Sequence, residues 1–256
     1  MIVVHVPHSA TLIPGGVRAQ FVLDDEELAD ELLCMTDWYV DELFALPVSE
    51  ARAVVYPVSR LVCDPERFES DSEEPMAQRG MGVIYTATHD LGELRTRPTA
   101  AEREDLLERY YRPHHRRLTE AVAQVLRSEG ECLIVDAHSF PSLPLPYEFD
   151  QGPAGSQPRQ RPAICLGTDD YHTPPALRAA ALAAFSARFD SVRCDQPFSG
   201  ALVPAAYWHQ EPRVHSIMVE VRRDLYMDEK TGVRLACFAE VADLIHVTLR
   251  ELAQPS

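Results

Sequence analysis

The sequence is poor in lysine, and acidic residues outnumber basic ones. Lys230 is the single lysine. The chain has 24 basic and 40 acidic residues, which gives a formal net charge of −16 at pH 7. A surface of this sign repels phosphate groups, so the composition argues against nonspecific binding of nucleic acid or of an anionic membrane. A local group of arginines would still bind a small anionic substrate, which is the partner we expect.

Long apolar runs and paired cysteines are also missing. No apolar stretch approaches the roughly 18 residues that a membrane-spanning helix needs. The six cysteines are scattered without a CxxC pair, which predicts buried thiols rather than a disulfide framework or a cysteine metal site. The opening residues MIVVHV lack the basic leader of a signal peptide. We therefore expect a cytoplasmic protein, and the sequence leaves open whether it forms a homo-oligomer.

The rest of the composition is that of an ordinary globular domain. The 256 residues are 46% hydrophobic and 25% charged, which is enough to bury a core without disulfides. Neither an internal repeat nor a change of composition divides the chain. Residues 1–256 are therefore expected to form a single domain.

Apolar, β-branched runs alternate with long amphipathic patterns along the chain. This alternation predicts an α/β fold of three layers, with a mixed, mostly parallel sheet and helices on both faces. The expected strands are 2–6, 53–58, 82–85, 132–135, 163–166 and 216–221. The expected helices are 25–44, 100–128, 175–189 and 234–252.

Polar residues follow or interrupt several of these strands, where ligands of α/β sheets bind. His8 comes directly after the first strand. Asp136 and His138 end the apolar run LIVDAHS and, being two apart, lie on the same face of the strand. Burying an acid at such a position is costly unless it is paired or coordinates a metal, so these residues indicate a functional site.

Glu220 lies in the middle of the apolar segment SIMVEVRRD, and Arg222 follows two residues later on the same face. Burial raises the pKa of a glutamate, which suits a general base that works near neutral pH. A purely structural ion pair between Glu220 and Arg222 is the alternative.

The segment SRLVCDPERF brings four charged residues together: Arg60, Asp64, Glu66 and Arg67. The two arginines would hold a substrate carboxylate through their planar donor groups. Asp64 would accept the second ring N–H of a metal-bound histidine. A surface network of ion pairs among the same four residues is the alternative, and this segment by itself favours it.

Two histidines and one carboxylate would supply a catalytic zinc ion with three ligands and leave the fourth position open for water. His8 and His138 are the predicted histidine ligands. The segment TDWYVDEL offers Asp37 and Asp41 one helical turn apart, and Asp64 is a third candidate. We favour Asp37 as the carboxylate ligand.

Other polar residues receive weaker interpretations. A serine-hydrolase mechanism would use Ser9 or Ser139 as nucleophile, but neither lies in a GxSxG turn. His114 and His115 lie beside arginines in a predicted helix, and we expect them on a solvated basic face.

Nine short motifs follow one another between Val6 and about Gly232. They are PHS, TDWYVDELF, SRLVCDPERF, GVIYT, YYRPHH, DAHSFPS, ICLGTD, PFSG and LYMDEKTG. In this order they resemble the N-formylglutamate amidohydrolase family. The resemblance implies hydrolysis of N-formyl-L-glutamate to formate and glutamate, a step of histidine breakdown.

The motifs are more distantly similar to those of zinc carboxypeptidases and aspartoacylases, whose α/β sheet has helices on both sides. This similarity implies that His8 and His138 bind Zn²⁺, that Glu220 is the general base and that Asp64 supports a ligand histidine. The remaining predicted roles are oxyanion stabilisation for Arg60, substrate binding for Arg67, Arg222 and Ser139, and support of the ligands for Asp136.

The chain departs from these relatives at three positions. Carboxypeptidases and aspartoacylases have a zinc-binding glutamate three residues after the first histidine, where this chain has Thr11. The formylglutamate family reads PHSG and DPNR, where this chain has Ala10 and Glu66. A carboxylate in place of that amide repels an anionic substrate, which leaves open another N-acyl substrate or a bound cation. The alternatives are therefore a deacylase for another acyl group, a carboxypeptidase-like peptidase, or a carboxylate-binding protein without turnover.

Overall fold

A computed structural model describes residues 1–148 and 161–254, and within these ranges six strands form one sheet. The strands are β1 (Ile2–Val6), β2 (Ala51–Val55), β3 (Cys132–Phe140), β4 (Ile164–Gly167), β5 (Val192–Cys194) and β6 (Val214–Arg222). Their order is β2-β1-β3-β6-β4-β5. The first four strands in this order are parallel, whereas β4 is antiparallel to β6 and parallel to β5. The predicted mixed, mostly parallel sheet is confirmed.

The helices of the described residues alternate with these strands. They are α1 (Gly15–Arg18), α2 (Asp25–Met35), α3 (Val40–Leu43), α4 (Ala100–Leu106), α5 (Arg112–Glu129), α6 (Pro175–Ser186) and α7 (Phe238–Leu252). Capping boxes at Asp24 and Thr99 begin α2 and α4, because each side chain accepts hydrogen bonds from backbone N–H groups of the first turn. Across the described part of the chain, every helix is too short or too polar to cross a bilayer.

The sheet lies between two layers of helices because successive side chains of a strand point to opposite faces. On one face, Val3 packs against Leu118 and Val122 of α5. On the other, Val4 belongs to a cluster that includes Leu43 of α3 and residues of α6 and α7. The three layers therefore follow from the alternation within a buried, apolar β1.

Two predicted elements differ from the structure. Residues 82–85 form no strand; the backbone there is irregular, and its Val83 carbonyl accepts a hydrogen bond from the Asp64 N–H at 2.8 Å. The helix predicted over 25–44 is broken between α2 and α3. At the break, the Asp37 N–H donates to the His8 carbonyl at 3.0 Å, and Tyr39 adopts a left-handed φ of 63°. A tertiary contact thus replaces the helical hydrogen bond.

Candidate active site

The carboxyl ends of β1, β3 and β6 meet at a cavity of about 190 Å³. This position follows the rule that ligand clefts of α/β sheets form beyond the strand ends. His8, which follows β1, and His138 near the end of β3 line the cavity together with Asp37 and Glu220. The structure therefore brings together the residues predicted as zinc ligands and general base, although they are far apart in the sequence.

Asp37 lies between the two histidines. Its Oδ2 atom is 3.1 Å from His138 Nδ1 and 3.7 Å from His8 Nδ1, and the two rings have centroids 5.1 Å apart. All three side chains are buried, and one donor atom from each lies within 4.8 Å of the others. Of the three candidate carboxylates, Asp37 is the one that lies close to both histidines in this way. Asp41, in contrast, lies in α3 with its side chain on the exposed surface.

Asp64 supports His8 from the side away from the cavity centre. His8 Nε2 lies 2.8 Å from Asp64 Oδ1, and the other carboxylate oxygen accepts hydrogen bonds from Arg60 at 2.8 Å and from the Tyr85 hydroxyl at 2.6 Å. An ionised carboxylate only accepts hydrogen bonds, so the proton of this contact lies on Nε2, and an imidazole with its single proton there has its lone pair on Nδ1. Asp64 therefore has the geometry of a supporting carboxylate rather than of a direct ligand.

His138 has a matching carboxylate behind it. Its Nε2 atom lies 3.3 Å from Asp136 Oδ1 and 3.3 Å from Glu66 Oε2. Asp136 also lies 2.8 Å from His5 Nδ1, and His5 Nε2 lies 2.8 Å from His114 Nε2. Asp136 thus lies between His138 and a buried pair of histidines.

The prediction that placed His114 on a solvated basic face is wrong, because His114 is 0% exposed. Burial is the largest cause of a strongly lowered His114 pKa, so this imidazole stays neutral. The helical spacing contained the signal: His114 precedes the buried Leu118, Val122 and Val125 by 4, 8 and 11 residues, which places all four on one face of α5.

Two carboxylates of the site, Asp37 and Asp64, stay ionised despite their burial. Burial raises the pKa of Asp37, but the opposing effects, of which the hydrogen bond from His138 is the largest, outweigh it and hold the pKa well below its usual value. Burial acts in the same direction on Asp64, where the charge of Arg60 is the largest opposing effect and the pKa is again lowered. Burial lowers the pKa of His138, whereas the charge of Glu66 is the largest effect that raises it. The His138 pKa ends well above normal, which reflects the negative charge collected around this ring.

Glu220 lies next to His138 on the neighbouring strand β6, where the two residues are register partners. Glu220 is 7% exposed, and its Oε2 atom is buried without a hydrogen-bond partner in the described part of the chain. Burial is the main cause that raises the pKa of Glu220, to about 7. A carboxylate with this pKa and a free oxygen in a cavity can accept a proton near neutral pH.

The structure corrects the assignment of Arg222 to substrate binding. The Arg222 guanidinium donates to Asp224 at 2.6 Å and to the Arg161 carbonyl at 2.6 Å, and the next residue, Arg223, lines the cavity instead. Strand β6 ends at Arg222, so the backbone turns before Arg223 and the strand alternation no longer applies. Among the described residues Arg222 pairs with Asp224 and not with Glu220, so the alternative Glu220–Arg222 ion pair does not form.

Arg223 is hydrogen-bonded to Asp37. It donates to Asp37 Oδ1 at 2.9 Å and to the Ser139 hydroxyl at 3.2 Å, while the Ser139 N–H donates to Asp37 Oδ2 at 3.2 Å. Ser139 therefore lines the cavity, as predicted for a substrate-binding residue, but its hydroxyl already accepts a hydrogen bond. Sequence reasoning missed Arg223 because it assigned side chains after Glu220 by the two-residue period of a strand. Arg223 lies beyond the end of β6, where this period no longer applies.

The other two arginines of the cavity differ in how much of their charge is neutralised. Arg60 contacts Asp64 through Nη2 at 2.8 Å and Nε at 3.2 Å, and it also donates to the Tyr85 hydroxyl. Arg67 lies farther away, with Nε 3.7 Å from Asp64 and Nη1 3.9 Å from Glu74, and its Nε atom has no hydrogen-bond partner in the described ranges. Arg67 therefore has the donors best placed to bind an anion.

Comparison with known proteins adds to this geometry. Residues 1–227 match the model of the N-formylglutamate amidohydrolase family. A curated N-formylglutamate deformylase of Pseudomonas aeruginosa is 28% identical over 261 aligned positions, covering 99% of this chain and 91% of that protein. The crystal structure of an N-formylglutamate amidohydrolase from Ralstonia eutropha has a TM-score of 0.81 at 25% identity, covering 98% of this chain and 92% of its own.

A second solved structure shares the fold. It is the gene product Atu2144 of Agrobacterium tumefaciens, with a TM-score of 0.61 at 20% identity over 99% of this chain and 91% of its own. The family model spans most of the sequence, from the first strand to the segment after β6. This chain belongs to the N-formylglutamate amidohydrolase family.

Proposed function

We propose that this chain is a zinc-dependent amidohydrolase that cleaves the amide bond of a small N-acyl amino acid. The substrate we favour is N-formyl-L-glutamate, which would yield formate and glutamate as a step of histidine breakdown. The names of the P. aeruginosa and R. eutropha relatives support this substrate. The observation that carries the proposal is the convergence of His8, Asp37, His138 and Glu220 on one cavity.

The donor set fits a single zinc ion. His8 Nδ1 is buried and has no hydrogen-bond partner among the described residues, which is costly unless the nitrogen has a ligand. Two imidazoles and one carboxylate, supported from behind by further carboxylates, are the donors that catalytic zinc prefers. When bound, zinc would lower the pKa of a water molecule to about 7 and polarise the amide carbonyl. The motifs similar to those of zinc carboxypeptidases also lead us to propose a fold related to those enzymes.

Glu220 would move the proton in this reaction. Its buried, unpartnered Oε2 would accept a proton from the attacking water and then donate it to the nitrogen of the departing amino acid. A pKa of about 7 makes both transfers accessible near neutral pH. The positive charge of Arg223 would stabilise the negative charge that develops on the carbonyl oxygen, with Arg60 adding to the field from behind Asp64.

Arg67 would bind the substrate carboxylate. Its guanidinium lines the cavity with an unpartnered Nε, and a planar guanidinium holds a carboxylate through two parallel hydrogen bonds. This contact would position the amide relative to Glu220. Orientation of this kind accounts for a large share of enzymatic rate enhancement.

The proposal is tested by measuring formate release from N-formyl-L-glutamate together with the metal content. We expect dialysis against a chelator to remove both zinc and activity, and stoichiometric zinc to restore activity. The Glu220→Gln variant should keep its zinc and lose about 10²–10⁴-fold in kcat. Glu229→Gln, whose side chain contacts Ser142 outside the set of cavity-lining residues, is the matched control. Full activity of the metal-free protein, or of Glu220→Gln, would refute the mechanism.

A further inference from the structure

A second concave surface adjoins the candidate active site. It has a volume of about 850 Å³, compared with about 190 Å³ for the cavity itself. We call it the side-chain groove; it lies between segments 65–73, 111–120 and 201–208. We propose that the side-chain groove binds the bulky apolar side chain of an N-acyl amino acid, so that the enzyme also hydrolyses N-formyl derivatives of amino acids such as phenylalanine. This inference rests on the proposed amide hydrolysis and extends its substrate range.

The groove begins where the cavity ends. Glu66 and Arg67 line both spaces, and Ser199 lines the cavity while Ala201, two residues on, lines the groove. A substrate whose carboxylate binds Arg67 would therefore have its amide in the cavity and its side chain directed past Arg67. The small cavity leaves room for a short acyl group only, which assigns the larger space to the amino-acid side chain.

The lining of the groove is suited to an apolar group. Two large aromatic side chains border it and are exposed, Phe68 at 55% and Trp208 at 51%. Leu202, Val203 and Ala205 add aliphatic surface. Such surfaces gain free energy when an apolar partner displaces water. Pockets that bind small molecules commonly combine an apolar lining with a few polar anchors, and Arg67 is the anchor here.

Charged residues of both signs line the groove, and Arg67, Arg112 and Arg116 are its arginines. Glu66 lies at the junction with a buried Oε1 that has no hydrogen-bond partner in the described ranges, and Glu69, Glu73 and Glu120 line the groove. The guanidinium of Arg112 is already paired with Glu69 and two further glutamates. Because positive and negative side chains both line this space, the preference for an apolar group rests on the aromatic and aliphatic part of the lining.

The walls of the groove are fixed to the active site by hydrogen bonds. The Tyr111 hydroxyl donates to the Arg67 carbonyl at 2.9 Å, and His115 Nε2 lies 2.9 Å from the Pro65 carbonyl. On the opposite wall, the Leu202 N–H donates to Asp136 Oδ2 at 3.1 Å. The groove is therefore formed before substrate arrives, which lowers the entropic cost of binding.

The test compares N-formyl-L-phenylalanine with N-formyl-L-glutamate as substrates of the zinc-loaded enzyme, by kcat/KM for formate release. We expect the phenylalanine derivative to reach at least about one tenth of the kcat/KM of the glutamate derivative. Trp208→Ala removes one wall of the groove, and Ala205→Trp fills the groove. Each variant should lower the phenylalanine-to-glutamate ratio of kcat/KM about tenfold, as expected for losing apolar contacts of a few methylene groups. Leu244→Ala, an exposed residue of α7, is the control and should leave the ratio unchanged.

The outcomes separate this inference from the proposed function. One outcome contradicts this inference alone: N-formyl-L-glutamate is cleaved, the phenylalanine derivative is about a thousandfold slower, and both groove variants leave the ratio of kcat/KM unchanged. The side-chain groove is then not a substrate site, and the amidohydrolase assignment stands. If formate is released from neither substrate, both proposals fail.

Discussion

The Nε2 atom of His8 lies 2.8 Å from the Oδ1 atom of Asp64, while His8 Nδ1 faces the cavity without a hydrogen-bond partner in the described part of the chain. The carboxylate thereby selects the tautomer that leaves Nδ1 free to bind a metal. This pair supplies the most direct test of the zinc site, because it can be changed without altering a proposed ligand.

Replacing Asp64 with Asn should weaken zinc binding by about 10–100-fold, because a neutral amide supports the histidine less strongly. Zinc affinity measured by competition with a chelating dye checks this expectation. Asp105→Asn, which alters an exposed acid paired with Arg109, is the matched control. An unchanged affinity in Asp64→Asn would show that Asp64 does not support a ligand.

The neighbouring residues Arg222 and Arg223 should respond differently to truncation. Arg223→Ala leaves the buried Asp37 carboxylate without its guanidinium partner, which should reduce the free energy of unfolding by about 3–5 kcal/mol. Arg222→Ala breaks an ion pair with the exposed Asp224, worth about 1 kcal/mol or less. Urea denaturation of both variants provides the comparison, and equal losses would contradict the placement of Arg223.

The pair of His89 and Glu31 should make stability depend on pH. His89 Nδ1 lies 2.6 Å from the buried Glu31, and hydrogen bonds with Cys34 and Glu31 raise the pKa of His89 to about 10. The pKa of histidine in the unfolded chain is about 6.5. The stabilisation by the His89–Glu31 pair is therefore complete below about pH 6.5 and is lost as the pH rises toward 10. The difference in unfolding free energy between wild type and His89→Gln should therefore shrink from pH 6 to pH 10. If the difference in unfolding free energy stays constant across this range, the His89–Glu31 pair does not cause the pH dependence of stability.

Gly167 should not tolerate a side chain. A Cβ atom at this position, the last of β4, would lie 2.2 Å from the Gly200 carbonyl oxygen and 2.4 Å from Met218. Gly167→Ala should lower the free energy of unfolding by about 1–3 kcal/mol. It should also displace the segment that contains the cavity-lining residues Phe198 and Ser199. Gly16→Ala meets no atom within 4 Å and serves as the control in thermal and urea denaturation. Equal stability of the two variants would disprove the close approach.

The strands that carry His8, His138 and Glu220 could be predicted because each lies in a run of buried, β-branched residues. A polar residue within such a run is visible in the sequence, since burial without a partner is costly. The three-residue strand β5 was missed because it is too short to show a period. The position of Asp37 could not be predicted for another reason. The segment TDWYVDEL continues a helical pattern, and the helix ends there because the Asp37 N–H contacts the His8 carbonyl.

The environment of Glu66 could not be read from the sequence either. The motif DPER predicted a carboxylate near the substrate, but the direction of the Glu66 side chain depends on β3. In the structure, Glu66 lies 3.5 Å from His5 Nδ1 and 3.3 Å from His138 Nε2. It also borders the side-chain groove. Sequence separation hides this arrangement, because His5, Glu66 and His138 meet only when β1 and β3 pair.

The break between α2 and α3 has a consequence for how the molecule unfolds. It places Asp37, from a segment outside the sheet, between His8 after β1 and His138 in β3. An ion bound to all three would act as a cross-link among parts of the chain separated by 29 and 101 positions. Because unfolding would have to release that ion, the melting temperature of the protein would rise with the concentration of free zinc.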